Sequence, residues 1–563
     1  MTDPIPDTPA KQNRGPRAVV AAIICVALLG VGSWYEGHRV VPSSSIANAR
    51  PSRSPVAGTR LFDQVMAAVA TRYVDSIDVG SLYEKAVSGM LSELGDPYTS
   101  FLTQNRLKSL DDQLPANYGG VGVQLNRRDG SLTVIEPVSG SPAAKAGVQA
   151  GDRLIAIDGA STYNMVQEDA ARALRGVPGS KVAITLERAG VAKRLQLTLV
   201  RDSVHRRSVS RTTMLANGVG YVDITMFGEQ TATEMSSAVD SLVKLGAKSV
   251  VMDLRGNSGG TIEQGAAIAE LFLDPGQAIV QLRPRPGAPP INFADREAQK
   301  WPNLALGILI DRGSASAAEV FAGALQDHDR AIVVGTQSFG KGSAQTVIPL
   351  ADGTGLRLTT GRWYTPSGRA ITRLTRAQRE IENGDVPLSP KDTVKPTYKS
   401  DAGRRIVGGG GIIPDVQAAD SVASEALQEL MRAMGPKLPA LRDAIGSQAL
   451  LIKSSGKFAS ANAPVTKEFL DALYGDLVRR KSAPDRPAFD AASEWVARSF
   501  GYEIARVTFG PDAEFARRSH DDVALQKAVQ LLQGARSARE VFAHLETQGK
   551  VEVKASRLPN NQP

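Results

Sequence analysis

Two short segments carry the residues best suited to covalent chemistry: Asp311-Arg-Gly-Ser-Ala-Ser-Ala-Ala-Glu319 and Ser338-Phe-Gly-Lys-Gly-Ser-Ala-Gln345. The apolar run Leu304 to Ile310 ahead of the first reads as a buried strand. After it, Val320, Phe321, Ala324 and Leu325 share one helical face. Ser316 therefore falls where a strand turns into a helix, among residues too small to shield it. Its hydroxyl would face the positive end of the helix dipole, which favours developing negative charge. A second short strand, Ala331 to Val334, leads into a Gly-punctuated loop that presents Lys341. A serine nucleophile with a lysine base calls for this layout.

Plainer readings compete. A lone Ser at a helix start is most often an N-cap, and a lone Lys is usually a solvated charge. A histidine base is the commoner serine chemistry, but none of the five histidines is well placed. His328 lies on the same helix as Ser316, twelve residues on, or roughly 18 Å away at the helical rise. His38, His205, His520 and His544 fall in linker or terminal segments. Gly335-Thr-Gln-Ser-Phe-Gly-Lys341 also satisfies most of a phosphate-binding loop. That motif needs Ser or Thr next and a helix to follow, whereas Gly342 and a strand-like run, Ala344 to Leu350, come instead.

The paired segments resemble the active-site signature of the carboxyl-terminal processing (tail-specific) proteases, PDZ-containing serine peptidases with a Ser-Lys dyad. Residues 314–319 and 339–345 carry it. The resemblance implies Ser316 as nucleophile, Lys341 as general base and Gln345 as the residue that orients the lysine. Asp253-Leu-Arg-Gly-Asn-Ser-Gly-Gly260 is a third matching element, with Ser258 where the family usually has Pro. A lysine serves as a base only when neutral, so burial must bring its pKa down from about 10.4. Gly340 and Gly342 remove the bulk that would keep the amine out of a cramped site. A Gln345 amide could accept from the amine without adding a charge; a carboxylate there would hold it protonated. The Gly259–Gly260 turn could aim a backbone N–H at a tetrahedral oxyanion, with the Ala317 N–H as partner. No metal or cofactor is expected: the chain shows no His, Cys and carboxylate cluster at ligand spacing.

Residues 118–202 resemble a PDZ domain. Tyr118-Gly-Gly-Val-Gly-Val-Gln-Leu125 sets three glycines before a strand, a setting for successive amides that bind a carboxylate. A strand (Leu132 to Glu136), a short helix from Ser141-Pro142, a strand (Arg153 to Ile157), a helix (about Met165 to Leu174) and two strands joined at Ala189-Gly190 follow. Such domains bind a free C-terminus by strand addition. Gly119, Gly120, Val121, Gly122 and Val123 are the candidate tail-binding residues, with Val121, Val123 and Leu125 as apolar surface for the last side chain.

The expected fold is α/β and multidomain: an N-terminal helical segment, a PDZ domain, an α/β serine-peptidase core and a mainly helical C-terminal region. The boundaries read as 59–117, 118–202, 203–416 with an inserted loop at 372–403, and 417–563. Asp96-Pro-Tyr-Thr-Ser-Phe101 extends the resemblance upstream to about residue 60. The chain has 563 residues and one cysteine, Cys25, which rules out internal disulfides. Residues 1–17 are polar and basic, the apolar run 18–34 is near the lower limit for crossing a bilayer, and 35–58 reads as a linker. The flanking positive charge predicts a cytoplasmic N-terminus, an inner-membrane single-pass anchor and a periplasmic catalytic part. A cleaved signal peptide is the rival, but Val31-Gly-Ser33 is a poor cleavage site. The net charge of +8 is spread thinly and marks no nucleic-acid patch. The expected partners are protein or peptide substrates with a free C-terminus, and the membrane. The alternative function is a catalytically silent PDZ scaffold or adaptor with a protease-like domain.

Overall fold

A computed structural model of the protein describes residues 55–111, 117–128, 130–188, 191–373, 395–419 and 424–547. Residues 1–17, the apolar run 18–34, most of the linker 35–58 and Cys25 lie outside them, so the expected anchor does too. Among the described residues no helix is long and apolar enough to cross a membrane. Two compact units divide the chain after Lys85. The first holds α1 (Pro55–Arg72) and the start of α2 (Val79–Ser92), where the rings of Phe62 and Tyr83 lie 6.1 Å apart.

In the second unit the chain leaves α2 and forms β1 (Ser100–Leu102) and α3 (Gln104–Asp111). The strand corrects the wholly helical reading of 59–117: Phe101 pairs with Leu356 inside a sheet of the peptidase core. Strand pairing of this kind depends on a distant partner, which local periodicity does not reveal.

The PDZ domain begins with β2 (Asn117–Gly120), β3 (Val123–Arg128) and β4 (Ser131–Pro137). Ser141 caps the short α4 (Pro142–Lys145), accepting from the Ala144 N–H at 3.3 Å. β5 (Arg153–Ile157), β6 (Ala160–Ser161), α5 (Gln167–Leu174), β7 (Lys181–Glu187) and β8 (Leu195–Val200) complete the domain, whose sheet has the order β3-β4-β5-β7-β8 with β6 paired to β5. β9 (Asp202–His205) pairs back with β2, so the domain's entry and exit strands leave together.

The core follows as β10 (Val209–Met214), β11 (Val219–Ile224), α6 (Thr231–Lys244), β12 (Ser249–Asp253) and α7 (Ile262–Glu270). Then come β13 (Ala278–Pro284), β14 (Ile291–Ala294), β15 (Ala305–Ile310), α8 (Ala317–Asp327) and β16 (Ile332–Gly335). β17 (Ser343–Pro349), β18 (Gly355–Tyr364), β19 (Thr397–Lys399), β20 (Arg405–Val407) and β21 (Val416–Gln417) complete it. The main sheet has the order β10-β11-β12-β15-β16-β21, parallel from β11 onward. A parallel sheet buries both faces, which is why its strands are apolar throughout. In β15, Leu306, Ile308 and Ile310 face α6, α7 and α8, while Ala305 and Leu309 face the other way.

That second face corrects the domain boundary at 416–417. The C-terminal helices are α9 (Glu425–Met434), α10 (Leu438–Ser455), α11 (Lys467–Arg479), α12 (Arg486–Ala491), α13 (Ser493–Phe509), α14 (Pro511–Asp521), α15 (Val523–Leu532) and α16 (Ala538–Thr547). Helices α9 to α13 form a lobe with its own core, including Leu441, Leu473, Phe489 and Phe500. Leu525, Ala528, Leu531 and Leu532 of α15 instead cover Val219, Val251, Leu309 and Val334 of the sheet. The sheet needs a second helical layer, and the segment before 417 supplies helices for one face only. The expected inserted loop also shrinks: Arg373 and β19–β20 belong to the core, and only 374–394 lies outside the described residues.

Candidate active site

β15 stops at Ile310 because the next residues tie the chain into a turn. The Asp311 carboxylate accepts from the N–H groups of Gly256 and Gly313, both at 2.8 Å, and the Ser314 hydroxyl donates to the Leu254 carbonyl at 2.7 Å. The Ala315 N–H donates to the Asn257 carbonyl at 2.9 Å. Ser316 then adopts φ 57°, ψ −118° before α8 begins. A side chain with a Cβ pays a strain cost in this region, and such strain clusters at functional turns. A strained strand-to-helix turn is the geometry that lifts a nucleophilic serine out of its surroundings.

The Gly259–Gly260 turn lies against Ser316. A Cβ on Gly259 would come within 2.7 Å of the Ser316 Cβ, and one on Gly260 within 2.0 Å of the Phe227 carbonyl oxygen. Only glycine fits either position, and Gly259 has φ 96° as well. Asn257, fully buried, organises the turn: its amide donates to the Ile224 carbonyl at 2.7 Å and its Oδ1 accepts from the Gly259 N–H at 2.8 Å. The Gly259 N–H is thus already committed and is not an oxyanion donor here. The N–H groups of Gly260 and Ala317 have no acceptor among the described residues. Ala317 opens α8, where the first amides of a helix lack intrahelical partners.

Glu319, on the first turn of α8, joins the serine and lysine segments. It is 1% exposed. Its Oε2 accepts from the Ser316 N–H at 2.8 Å and the Lys341 N–H at 2.9 Å. Its Oε1 accepts from the Ser338 hydroxyl at 2.5 Å and the Gly340 N–H at 2.6 Å. Because one oxygen takes both bonds, the Ser316 and Lys341 nitrogens lie less than about 6 Å apart. Burial raises the Glu319 carboxyl pKa, and the four donors oppose that rise. This carboxylate sits within the recognised motif, but its role was not legible in the sequence. The same bonds exclude the phosphate-loop alternative. Amides that would cradle a phosphate point at a carboxylate, and β17 rather than a helix follows Lys341.

Lys341 is held in a narrow loop. Gly340 has φ 91° and a Cβ there would meet Arg373 Cβ at 2.5 Å; a Cβ on Gly342 would meet the Thr372 nitrogen at 2.3 Å. Burial holds the Lys341 pKa below the ordinary lysine value, the Arg357 charge adds to this, and Glu319 opposes it. The amine lies 5.4 Å from the centre of the Tyr98 ring. Gln345 does not bond the lysine. Its amide donates to Ser343 Oγ at 2.8 Å and to Thr359 Oγ1 at 3.4 Å, because a bulge between Ala344 and Gln345 turns it toward β18. Among the described residues no group of three or more His, Cys, Asp or Glu side chains could hold a metal ion.

The PDZ residues divide in the same way. Gly119 and Gly120 are strand residues of β2, paired with Ser203 and Asp202. A Cβ on Gly119 would lie 2.1 Å from the Gly176 carbonyl oxygen, so that glycine serves packing. Val121 is 1% exposed in the domain core and offers no surface to a ligand, which corrects the expectation for its side chain. Gly122 has φ 74° and its carbonyl accepts from Val138 N–H at 2.9 Å. In that register the N–H of Val123 points to the free edge of β3, the edge that strand addition uses.

Residues 218–381 match peptidase family S41, residues 133–188 a PDZ domain, and residues 27–106 the N-terminal domain of the activating protease CtpB. The carboxy-terminal processing protease CtpA of Bacillus subtilis (strain 168) is 35% identical over 352 residues, covering 62% of this chain and 75% of the relative. The carboxy-terminal-processing protease of Bartonella bacilliformis is 37% identical over 316 residues, covering 55% and 71%. CtpB of Bacillus subtilis is 34% identical over 306 residues, covering 54% and 63%. The chain belongs to the carboxy-terminal processing proteases, serine-type peptidases of family S41 that carry a PDZ domain.

Proposed function

We propose that this chain is an endopeptidase in which Ser316 attacks the scissile carbonyl and Lys341 is the general base, and that its PDZ domain selects substrates by their free C-termini. One observation carries the dyad: the strained Ser316 and the Lys341 loop are clamped on a single carboxylate oxygen of Glu319. A neutral Lys341 amine takes the Ser316 proton as Oγ bonds to the carbonyl carbon. The resulting oxyanion meets the unpaired N–H groups of Gly260 and Ala317. The lysine ammonium then gives its proton to the leaving amine, and water releases the acyl group by the same steps in reverse. Burial of Lys341 favours the neutral form that the first step needs.

For the tail, the Val123 edge would pair with the substrate's last residues, with Leu125 and α5 as apolar walls. The basic stretch and apolar run at 1–34 support an anchor with the catalytic part outside the cytoplasm. The test is cleavage of an unfolded protein by the full chain. Ser316→Ala and Lys341→Ala should each abolish it in a folded protein, and amidating the substrate's C-terminus should slow wild-type cleavage at least tenfold. Activity retained in Lys341→Ala rejects the dyad; an unchanged rate after amidation rejects tail selection.

A further inference from the structure

Lys341 has a neighbour that the dyad leaves out. The Tyr98 ring, 243 residues upstream, lies with its centre 5.4 Å from the Lys341 amine, within cation–π range. No side-chain oxygen of the described residues hydrogen-bonds that amine, and the ring is the aromatic face that lies against it. Tyr98 is partly exposed and belongs to none of the hydrophobic cores, so filling the interior does not account for it.

The backbone around Tyr98 is pinned from both sides. The Asp96 carboxylate accepts from the Tyr98 N–H at 3.1 Å and from the Thr99 hydroxyl at 2.6 Å. Arg357 Nε donates to the Tyr98 carbonyl at 3.0 Å, and the Thr359 N–H donates to Thr99 Oγ1 at 3.1 Å. Both of those partners lie on β18, the strand that also pairs with β17 directly after Lys341. Gln345 donates to Thr359 as well. One strand therefore registers the Tyr98 turn against the strand that follows the Lys341 loop, and Gln345 bonds to that scaffold instead of to the amine.

We propose that Tyr98 is a positioning residue for the catalytic base, its ring face forming the wall that holds the Lys341 amine at the nucleophile and keeps water from it. This rests on the Ser316–Lys341 reading. A ring suits the task where an acid would not: a carboxylate would hold the lysine protonated, whereas a neutral ring localises the amine in either state. Burial and the nearby Glu319 and Asp96 charges raise the Tyr98 pKa, so its hydroxyl stays uncharged beside the base.

The test is kcat and KM across pH for the full chain carrying Tyr98→Ala, Tyr98→Phe or Lys341→Ala, with melting curves to confirm folding. Tyr98→Ala should lower kcat at least tenfold with KM within threefold. It should also move the acid limb to higher pH, because water admitted to the site stabilises the ammonium by more than the lost ring face did. Tyr98→Phe should recover most of the loss. If Tyr98→Ala does not fold, Tyr98→Leu replaces it, with the same direction of change expected. The inference fails if Tyr98→Ala keeps wild-type kcat and pH profile, if the loss is confined to KM, or if Tyr98→Phe is as impaired as Tyr98→Ala. Lys341→Ala separates the two claims: if it is inactive while Tyr98→Ala is normal, only the role of Tyr98 falls.

Discussion

Ser316 holds a conformation that disfavours its own side chain, so removing that side chain should stabilise the protein while silencing it. At φ 57°, ψ −118°, Ser316 lies far from the left-handed helical pocket that Asn217 and Asp352 occupy, both with ψ near 23°. Strain of this kind costs about 1–3 kcal/mol for any residue with a Cβ. Glycine escapes it but loses about 0.4–1 kcal/mol through a freer unfolded chain. Ser316→Gly should therefore be more stable than Ser316→Ala by about 1.3 kcal/mol at the middle of these ranges, since alanine keeps the Cβ. In a domain of this size that corresponds to a rise in Tm of about 2–6 °C. Both variants lack the Ser316 hydroxyl, the proposed nucleophile, so self-cleavage does not blur the comparison by scanning calorimetry or fluorescence melting. A Ser316→Gly protein that melts at or below Ser316→Ala would refute the elbow, and with it the reason the serine is presented to substrate.

Glu319→Gln should lower stability by about 2–6 kcal/mol, since an amide offers one acceptor oxygen and leaves two of the four buried donors without a partner; urea unfolding measures it, and an unchanged midpoint would show that the clamp is dispensable. Arg357→Gln removes a like charge that depresses the Lys341 pKa, so that pKa should rise. The proposed mechanism needs the neutral amine, so the acid limb of the kcat/KM profile should move to higher pH; a shift to lower pH would contradict the assignment of the base. Ending the chain at residue 522 removes α15 and α16 and exposes the sheet face made by Val219, Val251, Leu309 and Val334, so this truncation should be insoluble or unfolded by circular dichroism.

The sequence was most informative where structure is local. The strand before Ser316, the helix after it and the strand Arg153–Ile157 were legible because period-two and period-3.6 patterns and their Gly and Ser-Pro boundaries are written in consecutive residues. Three features were not legible, for a shared reason. Tyr98 reaches Lys341 only through pairing of β1 with β18, α15 finds the sheet across the whole lobe 424–521, and Gln345 turns away from Lys341 because of a bulge. Each depends on a partner far along the chain or on a one-residue slip in register, and neither leaves a periodic trace. Glu319 is intermediate: its place at the third position of a helix suggests a cap, but its three bonds to the Lys341 loop appear only once β16 lies beside β15.

Chemical rescue of the lysine tests the central claim most directly. In the full chain with Cys25→Ser, which removes the chain's one native thiol, Lys341→Cys puts a single cysteine at the base position. Alkylation with bromoethylamine then rebuilds an amine of nearly lysine length, with a sulfur that lowers its basicity. Lys341→Cys should be inactive, and the alkylated protein should regain cleavage with its acid limb at lower pH than wild type. Rescue absent in a folded, fully alkylated protein, or rescue with an unmoved acid limb, would contradict Lys341 as the base that activates Ser316.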